Sequence, residues 1–184
     1  DFVIAAGYRA EEIRRAAACW REWDVRVVDT GVHTATGGRL KRLHPLVEAE
    51  REVLITYCDG LTDLHIGELT EFHRSHGRAA TLTAVRPPSG FGWLDLDGDR
   101  CVRFIEKPPM LDAWINGGYF VVDPRVLELI EGDETVWERG PVPELAANGE
   151  LMAYRHNGFW MCVDTPKDLA AAEEALAGRR QPAV

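Results

Sequence analysis

The sequence has few cysteines and no long apolar run. Its four cysteines, Cys19, Cys58, Cys101 and Cys162, include no C-x-x-C pair, so a structural zinc site is not expected. We expect buried, reduced thiols and a cytoplasmic location, although the even count leaves a disulfide open. No apolar segment approaches the ~18 residues that a membrane helix needs, so no membrane partner is expected.

Basic residues are also scarce relative to acidic ones. The chain of 184 residues has 21 Lys and Arg against 30 Asp and Glu, a formal net charge of −9. A nucleic-acid partner is therefore not expected, because it would require a basic face. Phosphate ligands are still allowed, since a metal ion, backbone N–H groups or a few placed cations can bind them in an acidic protein.

Several catalytic motifs are missing as well. The glycine-containing segment at residues 34–42 lacks the Walker spacing, so it is not a P-loop. No G-x-S-x-G motif is present, and the six histidines indicate no triad. Nucleophilic catalysis by Ser or Cys is therefore not indicated.

The apolar pattern predicts a mixed α/β protein. Short apolar runs alternate with amphipathic segments, which favours a mostly parallel sheet flanked by helices. The predicted strands are 2–6, 26–29, 52–57, 79–85, 115–122 and 151–155, with an antiparallel hairpin at 91–105. The predicted helices are 11–23, 40–50, 66–76, 124–131 and 166–177. One domain over residues 1–184 is expected. Because a strand already occupies the first residues, we also expect an N-terminal part of the fold to be missing.

Two aspartates stand where ligand-binding carboxylates occur in α/β proteins. Asp59 follows the apolar strand at 52–57 and precedes a glycine, and Asp164 precedes a Thr-Pro helix start. Carboxylates at strand ends face the crevice of an open sheet, and magnesium favours one or two of them with substrate phosphates. The plainer alternatives are a turn for Asp59 and a helix-terminal carboxylate for Asp164.

Two other segments have polar groups suited to a sugar phosphate. Lys107 of the Glu106-Lys107 pair could bind a phosphate and Glu106 could accept from sugar hydroxyls, although most such pairs are exposed ionic turns. Asn116-Gly117-Gly118 allows a ligand to approach the backbone closely, or forms a bulge. Residues 34–42 join glycines to a helix start with basic side chains, which suits a nucleotide or simply a solvated helix entry.

Taken in order, these segments resemble the sugar-phosphate nucleotidyltransferases, most closely the glucose-1-phosphate cytidylyltransferases. The matching stretches are "DFVIAAGY", "VVDTG", "TGGRLKR", "TYCDGLTD", "FHRSHGRAATLTA", "EKP", "INGGYFVVDP", "GELMAYRHNGFW" and "VDT". The resemblance implies a Rossmann-like core that joins CTP to a sugar 1-phosphate, giving a CDP-sugar and pyrophosphate for nucleotide-sugar and surface-polysaccharide synthesis. Thymidylyl-, uridylyl- and guanylyltransferases share this architecture, so the nucleotide and the sugar stay open.

The resemblance also assigns roles to single residues. Asp59 and Asp164 match the aspartates that bind Mg²⁺, and with Lys107 they form the catalytic set. The remaining assignments are Thr34, Arg39 and Cys58 for the nucleotide, and Glu106, Lys107, Asn116 and Gly117 for the sugar phosphate.

Three departures from the family pattern modify this expectation. The family's first strand, its G-G-x-G-T-R-L loop and its K-P-K-P-M segment are missing, so this chain is expected to be a poor catalyst. Cys58 replaces a glycine, which hinders close backbone approach. The segment between Gly7 and Val27 is short, which leaves a homo-oligomer open. The alternative function is a non-catalytic sugar-nucleotide-binding or regulatory domain of the same fold.

Overall fold

The computed structural model describes residues 1–87, 91–106 and 113–179 as a mixed α/β structure. The strands are β1 (Phe2–Ala6), β2 (Val25–Asp29), β3 (Val53–Thr56), β4 (Gly60–Thr62), β5 (Ala80–Val85), β6 (Trp93–Asp97), β7 (Arg100–Ile105), β8 (Ile115–Val122), β9 (Leu151–Arg155) and β10 (Trp160–Cys162). The helices are α1 (Ala10–Ala17), α2 (Thr36–Val47), α3 (Ile66–His76), α4 (Pro141–Ala147) and α5 (Pro166–Arg179), with a 3-10 helix at Pro124–Leu129. Among the described helices, none is long and apolar enough to cross a membrane.

The chain forms two compact units. The first comprises Asp1–Leu54, Gly77–Ala80 and Val121–Met152. In this unit β1 and β2 pair in parallel, with Phe2 opposite Val25 and Ala6 opposite Asp29. Its most deeply buried side chains include Trp137, Ile130 and Leu127.

The second unit comprises Ile55–His76, Thr81–Phe120 and the described part of Ala153–Val184. Here β4 pairs with β10 and β6 pairs with β7, both antiparallel. Leu69, Phe120 and Val85 are fully buried in this unit. A four-stranded sheet has the order β3-β8-β5-β9.

The predicted fold class is confirmed: sheets that include parallel pairing are combined with helices, and the antiparallel hairpin lies at β6 and β7. The predicted bounds of β1, α3, β8 and β9 are those observed. The expectation of a single domain over residues 1–184 stays a prediction.

The prediction for α1 was too long. The helix ends at Ala17, whereas the prediction continued to Trp23. Trp20 and Trp23 instead belong to an aromatic cluster with Phe2. The Phe2 and Trp23 ring centroids are 5.6 Å apart, and those of Trp20 and Trp23 are 6.2 Å apart. Aromatic packing therefore explains the apolar spacing that resembled a helix.

The prediction for α2 began too late, and α4 was missed. Gly37 and Gly38 precede the predicted helix at 40–50, but both lie in the first turn of α2, where they are buried against the backbone of Thr135 and Asp133. Helix α4 was missed because Pro141 and Pro143 indicate a loop, although proline is accepted in the first turn of a helix.

The expectation of buried cysteines was wrong, since none of the four is fully buried. All four are free thiols, and Cys19, Cys58 and Cys101 are exposed, while Cys162 is half-buried. Cys19 lies in the turn after α1 and Cys101 lies in the hairpin, whose side chains are almost all exposed.

We expect Gly38→Ala to destabilise the protein. An added Cβ at residue 38 would lie 2.4 Å from the carbonyl oxygen of Asp133 and 2.6 Å from its Cα, so backbone must shift. Overpacking of this kind costs about 1–3 kcal/mol, measurable by urea denaturation. Gly132→Ala is the matched control, because a Cβ at residue 132 meets nothing within 4 Å. Equal midpoints for the two variants would contradict this account of α2.

Candidate functional site

The antiparallel pairing of β4 with β10 brings together two segments that are far apart in the sequence. Gly60 lies opposite Cys162, and Thr62 lies opposite Trp160. Next to the Gly60–Cys162 pair, the backbone N–H of Val163 donates to the carbonyl oxygen of Asp59 at 2.9 Å. The pairing therefore places the loop after β3 beside the segment that leads into α5.

Asp59 and Asp164 meet at this point, as the metal-site prediction requires. Donor atoms of Asp59, Asp164 and Cys162 all lie within 4.8 Å of one another. Both aspartates are exposed. Within residues 1–87, 91–106 and 113–179, neither carboxylate has a Lys or Arg partner within salt-bridge distance. Two uncompensated carboxylates at one point form a suitable arrangement for a hard divalent cation.

The Asp164 side chain does not cap helix α5, which was the alternative role considered for it. Capping of α5 is reciprocal between Thr165 and Asp168: the Thr165 hydroxyl accepts from the Asp168 N–H at 3.3 Å, and Asp168 Oδ2 accepts from the Thr165 N–H at 2.9 Å. The Thr165 hydroxyl also donates to Asp168 Oδ2 at 2.7 Å, and this bond, together with that from the Thr165 N–H, lowers the pKa of Asp168. The Asp164 carboxylate instead accepts from the Cys162 thiol at 3.5 Å.

Cys162 is a member of this group that the sequence prediction missed. Burial raises the pKa of its thiol to about 11, and the nearby Asp59 and Asp164 carboxylates contribute in the same direction. The available signal was its position two residues before Asp164, but that position acquires meaning only once the partner strand of β10 is known.

The predicted sugar-phosphate residues Asn116 and Gly117 lie in the same unit, at an Asx turn within β8 that we call the sugar-binding turn. The Asn116 side-chain oxygen accepts from the Gly118 N–H at 2.8 Å, and Gly118 has a φ of +79°, which favours glycine. The carbonyl oxygen of Gly117 accepts from Trp160 Nε1 at 2.8 Å. Because Trp160 is a residue of β10, this bond joins the turn to the strand that positions the carboxylates.

A second bond links these elements. The hydroxyl of Tyr119 donates to the carbonyl oxygen of Gly60 at 2.8 Å. A Cβ at Gly60 would meet the Tyr119 ring at 3.6 Å and the Gly117 carbonyl oxygen at 3.7 Å. Trp160 and Tyr119, both missed by the sequence prediction, thus hold the residue after Asp59 beside the Asn116-Gly117 turn.

The other predicted sugar-phosphate residues lie at the end of the hairpin. Glu106 follows β7 and is exposed. A Cβ at Gly92 would lie 3.1 Å from Glu106 Oε2, so this carboxylate approaches the start of the hairpin. Lys107 lies outside the described residues.

The predicted nucleotide residues are distributed over both units. Thr34 and Arg39 are in the first, where Thr34 is buried and Arg39 is half-buried. The guanidinium of Arg39 donates to the Thr30 hydroxyl at 2.7 Å and to the Ala6 carbonyl at 3.2 Å. Arg39 thus bonds the carboxyl ends of β1 and β2. Cys58 is exposed and belongs to the second unit, directly before Asp59.

The neighbouring basic residues of α2 contact the protein itself. Lys41 Nζ donates to the carbonyl oxygens of Ile130 and Glu131. Arg42 forms a two-point ion pair with Asp133, and the hydrogen bond from Arg42 lowers the pKa of that carboxyl group. Lys41 and Arg42 therefore bond α2 to residues 130–133 of the same unit.

We expect Asp59→Asn to increase the alkylation rate of Cys162. The Asp59 charge raises the pKa of this thiol, so its removal increases the thiolate fraction at a given pH. Peptide-resolved mass spectrometry after iodoacetamide treatment, with a chelator present, measures the rate. Asp97→Asn is the control, because Asp97 is also exposed and followed by glycine but lies in the hairpin. Unchanged Cys162 alkylation in Asp59→Asn would contradict the observed proximity.

Comparison with known proteins identifies the family of this chain. The Nucleotidyl transferase family profile matches residues 4–179. Glucose-1-phosphate cytidylyltransferase of Salmonella typhi is 49% identical over 191 aligned positions, covering 91% of this chain and 74% of the relative. Mannose-1-phosphate guanylyltransferase catalytic subunit beta of Drosophila pseudoobscura pseudoobscura is 33% identical, covering 90% of this chain and 47% of the relative.

The fold has solved counterparts. The crystal structure of HddC from Yersinia pseudotuberculosis, complexed with GMP-PN, matches with a TM-score of 0.72 at 19% identity, covering 95% of this chain and 77% of that one. At this identity the likeness concerns the fold alone. The sequence matches decide the family, and they show that the chain belongs to the sugar-phosphate nucleotidyltransferases, a family of enzymes.

Proposed function

We propose that this chain couples CTP to glucose 1-phosphate and that Asp59 and Asp164 bind the magnesium ion required. The observation that supports this most directly is the convergence of these two carboxylates, uncompensated by Lys or Arg among the described residues. The choice of CTP and glucose 1-phosphate is supported by the 49% identity to an enzyme named for those substrates.

The reaction requires positioning and charge neutralisation rather than a protein nucleophile. A phosphate oxygen of the sugar 1-phosphate attacks the α-phosphorus of CTP, the bond from that phosphorus to the bridging oxygen breaks, and pyrophosphate leaves with its electron pair. The products are a CDP-sugar and pyrophosphate. Magnesium held by Asp59 and Asp164 would supply positive charge that offsets the negative charge of the phosphates. The chain's own task is to hold the two substrates in line.

The proposed roles of the other residues follow their positions. Asn116 and Gly117 form the sugar-binding turn, and their fixed hydrogen bonds make it a preorganised surface. Glu106 accepts from sugar hydroxyls, and Lys107 pairs with the sugar phosphate.

The nucleotide is assigned to three residues. These are Thr34, Arg39 and Cys58. The two bonds of Arg39 to protein oxygens hold its guanidinium in one orientation, which lowers the entropy that binding would cost.

Metal binding tests the proposal without depending on turnover. Titration with Mn²⁺, followed by the loss of its free-ion electron paramagnetic resonance signal, should show a site in the wild-type chain. Asp59→Asn and Asp164→Asn should each abolish it, since each removes one of the two carboxylates. Asp97→Asn, the other Asp-Gly carboxylate of the second unit, should bind as the wild type does. Unchanged Mn²⁺ affinity in Asp59→Asn would remove the proposed site.

Catalysis is tested by pyrophosphate release from glucose 1-phosphate with CTP, UTP, dTTP or GTP. We expect CTP to be used best, and each aspartate variant to lose roughly 100-fold or more in kcat, the scale seen when one electrostatic group is removed from an active site. Preference for another nucleotide would overturn the choice of CTP. Metal-dependent CTP binding without pyrophosphate release would instead favour a non-catalytic binding domain.

We expect Trp160→Phe to impair sugar-phosphate binding more than nucleotide binding. The substitution keeps an aromatic side chain but removes the 2.8 Å bond to the Gly117 carbonyl, which leaves the turn free to shift. Loss of one such bond corresponds to about a tenfold rise in KM for glucose 1-phosphate. Trp93→Phe, in the hairpin, is the control and should change neither KM. An equal rise in both KM values for Trp160→Phe would contradict a role confined to the turn.

A further inference from the structure

The third member of the carboxylate cluster is a thiol, which magnesium does not require. Cys162 is the last residue of β10 and is half-buried. Its sulfur lies within 4.8 Å of ligand oxygens of both Asp59 and Asp164, and its thiol donates to Asp164 Oδ1 at 3.5 Å. One soft and two hard donor atoms therefore face the same point.

The distances suit a tetrahedral ion that binds sulfur. Zinc bonds to sulfur at about 2.3 Å and to carboxylate oxygen at about 2.1 Å, so a sulfur and an oxygen on one tetrahedral ion lie roughly 3.6 Å apart. The Cys162 sulfur lies 3.5 Å from Asp164 Oδ1, close to this value, and all three donor atoms lie within 4.8 Å of one another. Asp59 is exposed, so its side chain has room to rotate toward the ion.

Ligand chemistry separates this ion from magnesium. Mg²⁺ selects oxygen ligands and keeps several waters, whereas thiolates favour Zn²⁺ and its softer analogue Cd²⁺. A site of two carboxylates alone would distinguish these cations only weakly. Addition of a sulfur ligand should shift its preference toward thiophilic cations.

We propose that Asp59, Cys162 and Asp164 together bind a thiophilic divalent cation, Zn²⁺ or Cd²⁺, in the place assigned above to magnesium. Binding replaces the S–H bond of Cys162 by a sulfur–metal bond and releases the proton to solvent, without a redox change. The ion competes with Mg²⁺ and inhibits nucleotidyl transfer. This inference rests on the proposed function for the metal-binding role of the two aspartates.

Cadmium titration tests the proposal through a signal independent of activity. Cd²⁺ bound to a thiolate produces an ultraviolet charge-transfer band, which should saturate at one ion per chain in the wild type. The band should be lost in Cys162→Ser and lost or weakened in Asp59→Asn and Asp164→Asn. Cys58→Ser is the matched control: Cys58 precedes Asp59 but is not part of the cluster, so the band should remain.

Mn²⁺ titration of Cys162→Ser separates this inference from the proposed function. We expect Mn²⁺ binding to be retained there, because Mn²⁺ is satisfied by the oxygen ligands. Retained Mn²⁺ binding with a Cd²⁺ band that persists in Cys162→Ser would overturn the thiolate site and leave the magnesium proposal intact. A Cd²⁺ band that depends on all three residues, with no Mn²⁺ binding in the wild type, would support the thiolate site and remove the magnesium proposal.

Discussion

The candidate site depends on one short antiparallel pairing, that of β4 with β10. Each strand has only three residues, and two-stranded sheets of this size are marginal by themselves. Side-chain hydrogen bonds support the pairing at its far end: the Thr62 hydroxyl donates to the Phe159 carbonyl at 2.8 Å, and Asp63 accepts from the Phe159 N–H at 2.8 Å. These bonds and those of Tyr119 and Trp160 fix the register of β4 against β10. This register places the Asp59 carboxylate beside that of Asp164.

Structural features that depend on nearby residues were predictable from the sequence, whereas those that depend on residues distant in the sequence were not. The bounds of β1, α3 and β8 were predicted from local apolar runs, because a continuous buried strand or an amphipathic helix has a strong local signal. The strand β4 was missed because its three residues gain their structure from β10, which is distant in the sequence. Gly37 and Gly38 were misplaced because their position in α2 is set by close packing on another backbone segment.

The candidate site shows the same difference between local and long-range information. Asp59 and Asp164 were named from their place in a family pattern, since neither aspartate is distinguishable from a turn or a cap by local sequence. The structure contributes the information that capping of α5 belongs to Thr165 and Asp168, which leaves Asp164 for the cluster. The position of Cys162 two residues before Asp164 was its only local signal, and that signal has no meaning until the strand opposite β10 is known.

The distribution of charge explains why a cation at Asp59 and Asp164 is central to the proposed reaction. The chain is acidic overall, and phosphate chemistry requires positive charge near the substrates. In the basic segment of α2, Arg42 is paired with Asp133, Lys41 with two carbonyl oxygens, and Arg39 with Thr30 and Ala6. The bonds of Arg42 and Lys41 hold these two cations to the protein, whereas those of Arg39 orient its guanidinium for the proposed nucleotide contact. Asp59 and Asp164, by contrast, have no Lys or Arg partner among the described residues. A divalent cation held there would both neutralise the aspartates and attract the phosphates.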